Sequence, residues 1–511
     1  MKSTPPSSLD PLQWLDAVLV REPQRLFMRS GGGRDCSYGD FDQLANCMAR
    51  ALADHGVVTG DRVAAQVDKS PEAIALYIAC LKLGAAFVPL NTAYTLAELD
   101  YFLRDADPRV AVVRPQTRQQ ASSIGTSAQL LTLGTASDGS LMELAARCSD
   151  APVARFEGNA NALAALLYTS GTTGRSKGAM LTRGNLASNA VTLASVWRFS
   201  EHDVLLHALP IFHVHGLFVA VNTVLASGSS MLFLSRFDAD DIVAQLPHAS
   251  VMMGVPTFYT RLLQHPGLNR ETTRSVRLFV SGSAPLLPET HREFSQRTGH
   301  AILERYGMSE TLMNTSNPYE GDRIPGSVGP ALPGVDVRIA DPESGAVQTQ
   351  PDTIGMIEVR GPNVCSGYWR MPEKTAAELR SDGYFITGDL GRIDARGYVH
   401  IVGRGKDLVI TGGYNVYPIE VEAEIDALPG VIESAVIGVP HADFGEGVTA
   451  VVVRRTDSTI DETDVRRALE QRLANFKLPK RVLFVDELPR NTMGKVQKNL
   501  LRETYRDLYR A

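Results

Sequence analysis

The stretch Tyr168-Thr-Ser-Gly-Thr-Thr-Gly-Arg-Ser-Lys-Gly178 decides how the rest of the chain is read. Gly171 and Gly174 let backbone N–H groups turn toward one centre, Thr169, Ser170, Thr172 and Thr173 supply hydroxyl donors, and Lys177 adds positive charge. That is the chemistry of a loop that holds phosphate. Ala164-Ala-Leu-Leu-Tyr168 before it is apolar enough for a buried strand, so the loop leaves a strand end, where α/β sheets hold ligands. A Walker A loop is excluded, because Gly171 and Gly174 stand too close together and Lys177 is followed by Gly178 rather than Ser or Thr.

Outward from this loop the chain alternates between helix and strand. Upstream, Leu44, Ala45, Met48 and Leu52 fall at helical spacing before Gly56, and Val63 to Val67 reads as a strand. Ser70-Pro71 opens a helix with proline at its first position that ends before Gly84, and Thr95-Leu-Ala-Glu98 is a capping box opening another. Downstream, from about Ser327, short β segments broken by Gly and Pro take over: Gly334–Arg338, Gly355–Arg360 and Tyr398–Val402. After Gly403-Arg-Gly-Lys-Asp407 a small α+β piece follows, with helices near Pro418–Ala427 and Glu462–Leu473 and strands near Ala435–Val439 and Thr449–Val453. The expected fold is α/β: a large N-terminal domain of several subdomains, α/β sheets plus a β-rich piece, over 1–403, a hinge at 404–407, and a small mobile α+β domain over 408–511.

Length and composition agree. A chain of 511 residues exceeds what one core usually organises. A net charge of −6 with mixed signs gives no reason to expect nucleic acid. The five cysteines are odd in number and scattered, with no Cys-x-x-Cys pair, which suits reduced thiols and a cytoplasmic protein. The first residues lack a signal-peptide core, and no run approaches the ~20 apolar residues that span a bilayer, so a soluble protein without a membrane partner is expected.

Four further motifs follow in order. Leu209-Pro-Ile-Phe-His-Val-His-Gly216 contains a His-x-His pair without a third ligand at metal spacing, Tyr306-Gly-Met-Ser-Glu-Thr311 combines a ring, a carboxylate and a hydroxyl, Tyr384-Phe-Ile-Thr-Gly-Asp389 ends on a carboxylate, and Pro489-Arg-Asn-Thr-Met-Gly-Lys495 ends on a lysine. With the phosphate loop they resemble the signatures of the adenylate-forming acyl-CoA synthetase superfamily, from about Leu15 to the end of the chain. The resemblance implies ATP, Mg2+ and CoA as cofactor and co-substrates. Tyr306 would stack on adenine, Glu310 would offer Mg2+ a hard oxygen, and Thr311 would donate to the α-phosphate. Asp389 and Arg404 would bind the ribose hydroxyls, Lys406 would sit at the hinge, and His213 would gate the carboxylate pocket while His215 packs. Lys177 and Lys495 would stabilise charge as the adenylate forms, and Lys495 is a candidate for a lysine acetyltransferase, whose product would lack that charge.

The acyl pocket departs from many members. Where fatty and aryl members commonly carry glycine before the Tyr-Gly-Met motif, this chain has Arg305; a second arginine, Arg261, follows Pro256-Thr-Phe-Tyr-Thr; and Ser281-Gly-Ser-Ala-Pro285 adds a hydroxyl at Ser283. Two guanidiniums and a serine suit a second carboxylate on the substrate, hence a short dicarboxylate. The competing expectation is that Arg261 faces solvent on its helix and Arg305 pairs with Glu304 or another acid. Pro89 to Asp100, His207 to Leu217 and Met313-Asn-Thr-Ser-Asn-Pro-Tyr319 are similar to malonyl-CoA synthetases, which implies malonate, with some tolerance of methylmalonate because one methyl group is worth only about 1–3 kcal/mol. A short-chain or aryl acyl-CoA ligase and an enzyme that loads a carrier protein are the alternatives.

Overall fold

A computed structural model of the 511-residue chain describes residues 10–510 apart from 32, 149–152, 154–155, 170–175, 471 and 492–493. It divides into two compact units, Met1–Val337 with Val359–Phe385, and Arg338–Glu358 with Ile386–Ala511.

In the first unit the sequence signals become helix ends. Ser70 accepts from the Ala73 N–H, Pro71 fills the first helical position, and the helix Pro71–Leu83 stops at Gly84 in a left-handed conformation (φ 70°). Nearly every side chain of this helix is buried, Glu72 and Lys82 included, so it is an interior helix rather than an amphipathic surface one. Lys82 pairs there with Asp42, 2.6 Å away. Thr95 and Glu98 form the expected capping box for Leu96–Ala106.

Two sheets carry the unit. One runs in the order Gln129–Thr132, Val110–Val113, Arg62–Gln66, Ala86–Pro89, Leu163–Thr169, Lys177–Thr182, parallel until its last pair. The other has eight strands, of which six are mutually parallel and the edge strands Asp35–Ser37 and Leu312–Ser316 antiparallel. Its neighbours Val204–His207, Val251–Gly254, Leu278–Ser281 and Leu303–Met308 deliver their carboxyl ends side by side, which is where open α/β sheets place ligands.

The second unit holds most of a five-stranded sheet, including Phe385–Ile393 paired antiparallel with Val399–Arg404, and a C-terminal sheet built on the long hairpin Val431–His441 with Gly445–Arg454. Helices Pro418–Asp426 and Glu462–Glu470 contribute Val421, Ile425, Val465 and Leu469 to one apolar core with Val436, Val448 and Val452. Segments 338–358 and 386–403, expected to belong with the N-terminal domain, fall in this unit. The reason lies in the Asp389–Ile393 ladder with Val399–Arg404, which leads directly into Gly405–Asp407, where Asp407 pairs with Arg502.

None of the five cysteines forms a disulfide. Among the described residues no helix is long and apolar enough to cross a membrane.

Candidate active site

The phosphate loop joins two antiparallel strands rather than a strand and a helix. Thr169 and Lys177 stand opposite each other at its mouth; Ser170, Gly171, Thr172, Thr173 and Gly174 lie outside the described residues. Lys177 is buried, with its Nζ 3.0 Å from the Glu378 carboxylate and 4.5 Å above the Tyr368 ring. The Tyr368 hydroxyl lies 2.5 Å from Glu378 and 3.1 Å from Glu310, and the Thr169 hydroxyl donates to the same Glu310 oxygen at 3.1 Å.

Glu310 and Thr311 sit in the turn between Leu303–Met308 and Leu312–Ser316, with Tyr306 buried on the first of these strands. The turn is held from outside: the Cys365 N–H donates to the Glu310 carbonyl at 2.8 Å and the Asn363 amide to the Thr311 carbonyl at 2.6 Å. Leu312 has φ 50°, a conformation rare outside glycine and a mark of backbone strain. Burial raises the Glu310 carboxyl, and hydrogen bonds from Thr169 and Tyr368 oppose it. The Thr311 hydroxyl is buried with no partner among the described residues. No cluster of three His, Cys, Asp or Glu side chains occurs among those residues. The site therefore fits a hard cation held by one carboxylate, Glu310, and completed by phosphate and water oxygens, the pattern Mg2+ favours.

The neighbouring strand ends form a second cluster. Arg305, only 3 % exposed on Leu303–Met308, has its Nε and one terminal nitrogen without a partner among the described residues. Glu304, its neighbour in sequence, points to the other face of the strand and takes the Gly326 N–H at 3.2 Å, and burial raises its carboxyl to about 8. The Arg305–Glu304 pairing considered from the sequence does not form. Burial lowers Arg305 to about 9, which leaves it charged at neutral pH. A Cβ on Gly282 would meet the Arg305 guanidinium carbon at 2.4 Å, so glycine at 282 leaves the room that this side chain occupies.

Ser283 adopts φ 73°, strained for a serine, and its hydroxyl lies 3.3 Å from His215 Nδ1. His215, expected only to pack, is fully buried and in addition has Nε2 unpartnered among the described residues. His213 is half-buried, accepts from the His215 N–H at 3.2 Å, and is lowered to about 4 by burial and then by Arg305. Both imidazoles are neutral beside a cation. Arg261 stands exposed in the last turn of helix Pro256–Gln264, and the structure does not bring it to Arg305.

In the second unit Asp389 and Arg404 face each other across adjacent strands, with Arg404 Nε 2.8 Å from the carboxylate. Lys495 shares this neighbourhood. Surrounding protein and then the Arg404 guanidinium lower it to about 8, against the pull of Asp389 and Asp407, although its side chain keeps access to solvent. Lys406 is exposed in the turn Gly405–Asp407. Gly412 and Gly413, both left-handed (φ 57° and 80°), make a two-residue hairpin between Val409–Thr411 and Tyr414–Val416.

Glu378, Tyr368 and Asn363 escaped the sequence reading. Glu378 lies 201 residues from Lys177 in the chain, and no local pattern marks it.

Comparison with known proteins places this geometry. The AMP-binding enzyme model matches residues 15–369, and that of the AMP-binding enzyme C-terminal domain matches 420–495. ATP-bound MatB from Rhodopseudomonas palustris superposes with a TM-score of 0.95 at 59% identity, over 98% of this chain and 100% of that one. The indoleacetate–CoA ligase of Aromatoleum aromaticum is 35% identical over 96% of this chain and 97% of its own. The mitochondrial malonate–CoA ligase of Mus musculus is 36% identical over 83% of this chain and 78% of its own.

Proposed function

The chain belongs to the AMP-binding enzymes, and from that premise we propose that it ligates malonate to CoA at the expense of ATP, through malonyl-adenylate. The curated relatives at 35% and 36% are named for different acids, indoleacetate and malonate, and the malonate reading is supported by the malonate–CoA ligases together with MatB at 59% identity. The observation that carries the choice is Arg305, a buried guanidinium with two nitrogens unpartnered among the described residues. An aryl or aliphatic acyl group would leave that cation unpaired, at a cost of roughly 3–5 kcal/mol for a broken buried pair, whereas the distal carboxylate of malonate completes it. Ser283 and His215 extend the set of donors around it, whereas Arg261, exposed on its helix, takes no part in the set. Methylmalonate, larger by one methyl group, is expected to be a slower substrate.

In the first half-reaction one carboxylate oxygen of malonate attacks the α-phosphorus of ATP, and the bond to pyrophosphate breaks. Lys177 holds phosphate charge, Thr311 offers its unpartnered hydroxyl to the α-phosphate, Tyr306 takes the adenine, and Asp389 with Arg404 takes the ribose. The described side of the phosphate loop, Thr169, orients Glu310; Ser170, Gly171, Thr172, Thr173 and Gly174 supply the remaining donors. Mg2+, when bound at Glu310, neutralises phosphate charge. Lys495 stabilises the charge that builds on the α-phosphate and carboxylate oxygens. In the second half-reaction the CoA sulfur attacks the acyl carbon, the bond to the AMP oxygen breaks, and the thiol proton passes to solvent. Lys406 is the pivot that lets Lys495 give way to the Gly412–Asn415 loop between the two steps. Acetylation of Lys495 by a lysine acetyltransferase would remove the charge the first step needs.

The test is product analysis. Incubation with MgATP, malonate and CoA is expected to give malonyl-CoA, AMP and pyrophosphate in equal amounts, and transfer of malonate to a holo-carrier protein in preference to CoA would replace this reading with carrier loading.

A further inference from the structure

The base of the Lys495 loop carries an ion pair that no step above uses. We propose that Glu433 and Arg490 are positioning residues for Lys495, with Glu433 fixing a guanidinium that grips the backbone next to the lysine. One terminal nitrogen of Arg490 donates to the Glu433 carboxylate and the other to the carbonyl of Gly494, the residue bonded to Lys495. The inference rests on the reading that Lys495 serves the adenylating step.

Four observations support it. Glu433 belongs to the strand Val431–His441 and pairs with Val453 just after a register shift, at the start of the continuous ladder with Gly445–Arg454, so its backbone is held by the sheet. The ends of the loop above it are tied together: the Asn491 N–H donates to the Lys495 carbonyl at 2.9 Å, the Lys495 N–H donates to the Asn491 side-chain oxygen at 2.9 Å, and Arg490 bridges Val496. Gly494 turns with φ 73°, and its carbonyl is the one that Arg490 holds. Beyond the loop, Lys498 pairs at 2.5 Å with Glu422, which also takes the Val436 N–H at 2.7 Å from the same strand.

Arg490 is thus a crossbar between a sheet and the loop that carries the Lys495 ammonium. A long unbranched side chain on a loose loop spreads over many rotamers, and a displacement of about 1 Å from the reacting atoms costs on the order of a hundredfold in rate. Both partners keep about a quarter of their side-chain surface, 29% for Arg490 and 25% for Glu433, so neither is a core residue whose loss dismantles the unit.

The experiment separates the two half-reactions. Glu433→Gln and Arg490→Ala should lower kcat for pyrophosphate release about 10- to 100-fold while the KM for ATP and malonate stays within about twofold. Attack of CoA on supplied malonyl-adenylate should run at the parental rate. Arg490→Lys, which can reach only one of the two partners, should fall between and covers the case in which a stronger variant fails to fold. Placed on Lys495→Ala, Glu433→Gln should cost nothing further, because it acts through the lysine already removed. Parallel loss of both half-reactions, or a further drop on the Lys495→Ala background, would overturn the proposal in favour of a purely structural pair. Parental adenylation by Glu433→Gln beside an inactive Lys495→Ala would overturn it and leave the role of Lys495 standing; parental adenylation by Lys495→Ala would remove both.

Discussion

Arg404 and Arg305 are the same side chain in opposite states. Arg404 is already paired, 2.8 Å from Asp389 on the neighbouring strand; Arg305 is buried with two nitrogens that nothing described satisfies. Lys177 follows the first pattern, held by Glu378 and Tyr368. The paired groups are those assigned to the nucleotide, which is the same in every turnover. Their carboxylate partners keep them oriented and limit the cost of burial whether or not ATP is present. In the proposed function the unpaired group is the one assigned to the acid, where a missing partner would become selection: only a ligand that brings its own anion would relieve it. Preorganisation and specificity are therefore built by different means in one enzyme.

The largest expected effect comes from abolishing the unpaired member. Arg305→Met should lower kcat/KM for malonate by about a thousandfold, the order expected when one member of a buried charge pair is lost, while ATP binding measured by calorimetry changes little. The same substitution should raise the melting temperature of the free protein by about 2 °C or more, since an apolar side chain replaces an uncompensated buried cation. A lower melting temperature would show that the guanidinium is satisfied after all. Arg404→Lys should cost less, about 10- to 100-fold, and should do so equally for every acid, because the contact it weakens belongs to the nucleotide.

Protonation sharpens the contrast. Lys495, lowered to about 8 by burial and by Arg404, is charged below that pH and loses its charge above it. The kcat/KM for pyrophosphate release, which reports the free enzyme, should be level toward neutral pH and fall as pH rises through about 8. Lys495→Arg, where it retains activity, should move that falling limb upward, and an unchanged limb would assign it to another group. Gly282→Ala, which pushes into the space of the Arg305 guanidinium, should cut malonate use about tenfold with ATP affinity preserved. Glu378→Gln should give the smallest change, a rise in KM for ATP of about threefold, because Lys177 keeps Tyr368 as a neighbour.

Much of this was legible before any coordinate. Ser70-Pro71 and Gly84 bracket a real helix, Thr95 and Glu98 form a real capping box, and the glycine spacing rightly separated the phosphate loop from a Walker A loop. Arg305 was visible because one residue replaces a glycine within a motif. What the sequence concealed are contacts made by tertiary structure alone. Glu378 reaches Lys177 from the end of a short helix, Ser283 meets His215 through a strained turn, and Arg490 meets Glu433 across 57 residues. The expected boundary at 404–407 was placed by motif, whereas the compact units divide by contact, and strand pairing carries 386–403 into the C-terminal unit. Arg261 looked equivalent to Arg305 in sequence, yet one is exposed and the other buried, a difference that helix phase and strand position decide.

The most direct test is pyrophosphate release with MgATP and CoA across malonate, methylmalonate, succinate, acetate, octanoate and coumarate, for the parent and Arg305→Gly side by side. Malonate is expected to lead in the parent, with methylmalonate next, and to lose that lead in the variant. Octanoate or coumarate leading in the parent would contradict the account, leaving the family and its adenylate chemistry in place but removing Arg305 as the determinant of the acid.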